Sequence, residues 1–73
     1  MVMKQSLKIE VSKRIKEARL KVGFTQQELA EKANVDYKYL QRMEGKSPPN
    51  LKLETLEKIS KALKINPAKL LDF

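Results

Sequence analysis

At 73 residues the chain has room for one compact domain and too little for a second core or a pocketed catalytic domain. Sixteen Lys and Arg against nine Asp and Glu leave a net charge of +7, a balance that favours polyanionic partners. With no Cys and no His, the sequence excludes disulfides, Cys/His zinc sites, thiol nucleophiles and histidine acid–base chemistry together.

Lys, Glu, Leu and Ala dominate and glycine is confined to Gly23 and Gly45, a composition that predicts an all-α chain. Residues 1–6 are expected to fray. Leu7, Ile9 and Val11 alternate briefly, but Val11, Ile15, Ala18 and Val22 repeat at helical spacing, so a first helix is expected from about Glu10 to Val22, closed by Gly23. Thr25 with Glu28 three residues later forms a capping box, and Phe24 precedes the cap as a staple; the second helix then runs to about Ala33. Asn34 tolerates the left-handed backbone of a sharp turn, and Asp36 caps a third helix from Tyr37 to about Glu44. The segment Gly45–Asn50, with two prolines, is a loop. Leu53, Leu56, Ile59, Ala62 and Leu63 mark a fourth helix ending near Lys64, and Asn66-Pro67 opens a last short helix through Leu71. Five helices in one domain, residues 1–73, are the expectation. Its core is expected to hold Ile15, Ala18, Val22, Phe24, Leu29, Leu40, Leu53, Leu56, Ile59 and Leu63.

No apolar run reaches the roughly 18–20 residues that span a bilayer, and Met1 to Glu10 lacks the apolar stretch of a secretory signal. A soluble, cytoplasmic protein with no membrane partner is expected. There is no Gly-rich phosphate loop and no carboxylate cluster with a plausible pocket, so no catalytic residue, metal or cofactor is expected either.

The informative stretch is Gln26–Gly45, QQELAEKANVDYKYLQRMEG, which has the spacing of two short helices around a tight turn. Leu29, Ala30, Ala33, Val35, Leu40 and Met43 form the packing face. Advancing about 100° per residue from Leu40 turns Lys38, Gln41 and Arg42 outward. Arg or Lys can donate to guanine O6 and N7, and Gln can pair with adenine N6 and N7. A basic helix face alone is most often only solvated; what lends this one weight is the packing pattern behind it.

That pattern resembles the Cro/C1 (Xre-type) helix-turn-helix repressors, whose fold is the lambda-repressor-like bundle. The resemblance covers about residues 8–71. It rests on Gln26 followed four residues on by Ala30, on the apolar positions just named, and on three runs: RIKEAR at Arg14–Arg19, GFTQQELA at Gly23–Ala30 and LETLEKISKALKINPAKLL at Leu53–Leu71. Asn34 stands where the family usually has glycine, Gly45 comes one position early, and the Pro48-Pro49 loop is one residue longer than the family pattern. The resemblance implies a sequence-specific regulator of double-stranded DNA, most simply a repressor bound as a homodimer to a two-fold operator. A restriction-modification controller, or an antitoxin or adaptor with a toxin or effector as partner protein, is possible on the same scaffold. It implies base reading by Tyr37, Lys38, Gln41 and Arg42, and phosphate contacts from Gln26, with Thr25, Gln27, Tyr39, Lys46 and Asn50 as further candidates. Arg19 and Glu44 are expected to form a partly buried ion pair that orients the third helix. Self-contact is expected through Leu70, Leu71 and Phe73.

Overall fold

In the computed structural model, which describes residues 7–71, helix α1 spans Leu7–Val22, α2 Gln26–Ala33, α3 Tyr37–Met43 and α4 Leu53–Leu63, followed by a single 3-10 turn at Pro67–Leu70. The expected fraying of residues 1–6 and the position of Phe73 lie outside the described residues. Helix α1 starts at Leu7 rather than Glu10. The alternation of Leu7, Ile9 and Val11 is an arc of helix: Val11 is buried, Ile9 half-buried, and the buried Ser12 hydroxyl donates back to the Ile9 carbonyl at 2.9 Å. The fifth expected helix is also corrected. Between Asn66 and Leu71 the chain makes only the short-range bonds Lys69 N–H to Asn66 O (2.8 Å) and Leu71 N–H to Ala68 O (3.0 Å), because so short a run closes tight turns and no α-helical ladder.

Three corners are built alike. Each spends three residues: one with left-handed backbone, one apolar, one N-cap. They are Gly23-Phe24-Thr25 (φ 89° at Gly23), Asn34-Val35-Asp36 (φ 57° at Asn34) and Lys64-Ile65-Asn66 (φ 58° at Lys64). At each, the apolar residue's N–H reaches back five residues in Schellman fashion: Phe24 to Arg19 O at 3.1 Å, Val35 to Ala30 O at 3.0 Å and Ile65 to Ser60 O at 2.9 Å. Its side chain packs against the core. The third residue then caps the next element: Thr25 Oγ1 accepts from Glu28 N–H, Asp36 Oδ2 from Tyr39 N–H and Asn66 Oδ1 from Ala68 N–H. Thr25 and Glu28 close the full capping box.

The core gathers Val11 and Ile15 from α1, Leu29, Ala30 and Ala33 from α2, Leu40 and Met43 from α3, Leu56, Ile59 and Leu63 from α4, and Leu70. Helix α2 packs against both α3 and α4. Ala30 and Ala33 supply the small faces that such close packing needs. Two residues expected in the core are outside it: Val22 is 48% exposed and Leu53 78% exposed. Both stand at a helix end, past the reach of the neighbouring elements, where helical spacing continues but nothing covers it.

Candidate nucleic-acid interface

Asp36 sets the start of α3 and a buried Leu40 and Met43 set its roll, so Lys38, Gln41 and Arg42 point to solvent. Tyr37, the first residue of the helix, is 39% exposed beside them. Its hydroxyl accepts a hydrogen bond from Gln41 Nε2 at 3.1 Å, one turn along. These four side chains form one surface.

The far end of α3 is tied to the rest of the fold by Glu44. Arg19 Nε donates to Glu44 Oε2 at 2.9 Å and Arg19 Nη2 to Oε1 at 3.0 Å, with the two side chains 8% and 1% exposed. The third guanidinium nitrogen, Nη1, donates to the Phe24 carbonyl at 2.7 Å. Gln26 Nε2 also donates to Glu44 Oε1, at 3.0 Å. One carboxylate thus joins α1, the first residue of α2 and the end of α3. A bidentate arginine pair is the geometry in which such charges hold direction as well as distance. No buried side-chain polar atom lacks a partner among the described residues.

The remaining candidates divide by what they already do. Thr25 is occupied as a cap, while Gln27 and Lys46 are exposed. Tyr39 is half-buried against the core and donates its hydroxyl to the Asn50 carbonyl at 3.3 Å. Pro48 is buried, and this bond ties Asn50, at the far end of the α3–α4 loop that displays Lys46, back to α3. The carboxylates of Glu28, Asp36 and Glu44, at the ends of α2 and α3, are all engaged by backbone or side-chain donors. What faces outward along α3 and its loop is therefore cationic: Lys38, Arg42 and Lys46. Beside the capping box, Lys32 Nζ sits 5.3 Å from the centroid of the Phe24 ring, a cation–π contact at the first corner.

Of the residues expected at a self-contact, Leu70 is corrected: it is 1% exposed and completes the monomer core. Leu71 is 45% exposed. Leu53, expected in the core, instead lines a shallow depression with Glu54, Leu56, Glu57, Pro67 and Leu71. The available signal was its place as the first residue of α4, ahead of the packed turns.

A helix-turn-helix family model matches residues 15–70 of this chain. The chain belongs to the Cro/C1-type helix-turn-helix family. Within that family it is 39% identical over 62 residues to the HTH-type transcriptional regulator SinR of Bacillus subtilis (strain 168), a match covering 85% of this chain. It spans 56% of that relative's length. Among solved structures, it resembles C.Esp1396I bound to a 19 base pair DNA duplex, with a TM-score of 0.82, 38% identity and coverage of 90% of this chain and 87% of that one. The restriction-modification controller protein C.AhdI from Aeromonas hydrophila is similar at a TM-score of 0.81 and 28% identity, over 86% of this chain and 94% of that one. No helix among the described residues is long and apolar enough to cross a membrane.

Proposed function

We propose that this protein is a sequence-specific, double-stranded DNA-binding transcriptional regulator, acting most simply as a repressor that occludes a promoter. The observation that carries the reading is the outward face of α3, where Lys38, Gln41 and Arg42 stand free of the packing that fixes Leu40 and Met43. In the helix-turn-helix docking mode this face enters the major groove, and the N-terminus of α2, at Gln26 and Gln27, meets the phosphate backbone. Lys46 adds a cation on the α3–α4 loop. Phosphate contacts set register and most of the affinity; the α3 side chains set sequence.

One recognition helix spans too few base pairs to select a site in a genome, so the regulator acts as a homodimer on a two-fold operator. Half-sites then lie about 34 Å apart, one turn of duplex. The self-contact we assign to the depression of Leu53, Leu56, Pro67 and Leu71, flanked by the exposed Glu54 and Glu57, where the largest exposed apolar side chain of α4 stands beside Leu71. A controller of a restriction-modification system is the second reading, favoured by the match over nearly the whole length of C.Esp1396I and C.AhdI.

Selection of binding sites from a random duplex library at physiological salt tests the proposal. Enrichment of an inverted repeat with half-sites one turn apart is expected. Folded protein that enriches no sequence would refute DNA reading by α3 and turn attention to a protein partner.

A further inference from the structure

Tyr37 and Gln41 are not independent readers. Their side chains are joined across one turn of α3, Gln41 Nε2 donating to Tyr37 Oη at 3.1 Å. A glutamine on a bare helix surface samples several rotamers and presents either edge of its amide. Here one N–H is already spent. What remains for a ligand is Oε1 as acceptor and the second N–H as donor.

Adenine offers the complement of that pair in the major groove, an N6 amino donor beside the N7 acceptor. Guanine offers two acceptors, O6 and N7, and would set O6 against Oε1. Cytosine N4 satisfies Oε1 and leaves the N–H without a partner. Lys38 and Arg42, on the same exposed surface, carry only donors and suit guanine instead. We propose that Gln41 reads adenine, and that Tyr37 is a positioning residue whose hydroxyl holds the Gln41 amide in the reading orientation. This rests on the assignment of α3 as the DNA-reading helix. It goes beyond that assignment in naming the base and in making one side chain's selectivity depend on another's hydroxyl.

The test is library selection from random duplex with four full-length proteins: the parent, Tyr37→Phe, Gln41→Ala and the double variant. Phenylalanine keeps the ring and removes only the hydroxyl of an exposed side chain, and a matched thermal melt checks the fold. The parent is expected to select adenine at one position of each half-site. Gln41→Ala should lower that preference about tenfold or more, the value of a bidentate base contact. Tyr37→Phe should lower it about threefold to tenfold, the net value of one hydrogen bond, and leave the other positions unchanged. The double variant should be no worse than Gln41→Ala alone, because the hydroxyl acts only through the amide. If Tyr37→Phe keeps the parent's adenine preference, or weakens every sequence alike, the positioning role is overturned. If the parent enriches a motif that lacks a Gln41-dependent adenine, the base assignment is overturned. Failure of the parent to enrich any motif would instead remove the underlying DNA-reading assignment, and this inference with it.

Discussion

Glu44→Ala is the substitution that puts most strain on the physical account of α3. In the folded chain the Glu44 carboxylate is 1% exposed and accepts three hydrogen bonds, two from Arg19 and one from Gln26. Arg19 lies 25 residues away in sequence, so helix propensity contributes nothing to their meeting. Deleting the carboxylate leaves a guanidinium that is 92% buried at the side chain with only the Phe24 carbonyl as a partner. Removal of one member of a buried pair costs about 3–5 kcal/mol. The lower end applies here, because Nη1 keeps its carbonyl. A chain of 73 residues holds a folding free energy of about 4–11 kcal/mol, so the loss is a large share of the total. In a urea titration followed by circular dichroism, with a slope near 1 kcal/mol per M, the midpoint should fall by about 3 M. The double variant Arg19→Met/Glu44→Leu should recover to within about 1–2 kcal/mol of the parent, since a packed apolar pair replaces the charges and only the Phe24 and Gln26 bonds are lost. A Glu44→Ala midpoint within about 0.5 M of the parent, or a double variant as unstable as the sum of both single ones, would refute the reasoning.

Arg42→Ala should relax base preference at one position per half-site, with a loss of about 1–3 kcal/mol on the selected site, whereas Gln26→Ala should weaken selected and random duplexes alike. Equal losses on both duplexes for Arg42→Ala, read by fluorescence anisotropy, would count against its role in reading. Lys64→Gly should stabilise the fold by about 0.5–1 kcal/mol, roughly 4 °C in Tm, by relieving a side chain held at φ 58°; an unchanged or lower Tm would mean that the corner carries no strain. Leu53→Glu should weaken self-association at least tenfold in sedimentation equilibrium while leaving monomer stability within about 0.5 kcal/mol, because the residue is 78% exposed. An unaltered dimer constant would move the self-contact elsewhere.

The elements legible in the sequence are those written in local chemistry. The Thr25/Glu28 box, the Asp36 cap, the Asn66-Pro67 start and the left-handed Asn34 each depend on residues within a few positions, and residue type alone announces them. Lys64 takes the same left-handed backbone as Gly23 and Asn34, yet lysine has no preference for it, so the place of that corner was legible and its conformation was not. Val22 and Leu53 show the limit of periodicity, which identifies an apolar arc but not where along it the covering elements stop. The length of the last helix failed for a similar reason, since an N-cap and a proline mark where a turn begins and say nothing of how far it continues. Within the interface, the outward roll of Lys38, Gln41 and Arg42 followed from Leu40. The second duty of Gln26 on Glu44 and the Tyr39–Asn50 bond did not, because both depend on how distant segments meet in space.

The three matched corners also decide where this chain can change length. Each is closed by a hydrogen bond that reaches back five residues and by a cap that reaches forward, so an inserted residue would unmake both and with them the angle at which the next element sets off. Between α3 and α4 no such closure exists. Gly45, Lys46 and Ser47 are exposed, and the anchoring by Pro48 and Asn50 comes only afterwards. Doubling a flexible loop costs only about 0.6 kcal/mol. The one-residue excess expected over the family pattern falls in this connection, the one segment between the described helices that can absorb it without turning α3. An epitope or fluorophore tag of a few residues between Lys46 and Ser47 therefore spares the fold better than one at any of the three corners, although it stands beside the Lys46 cation proposed to meet DNA.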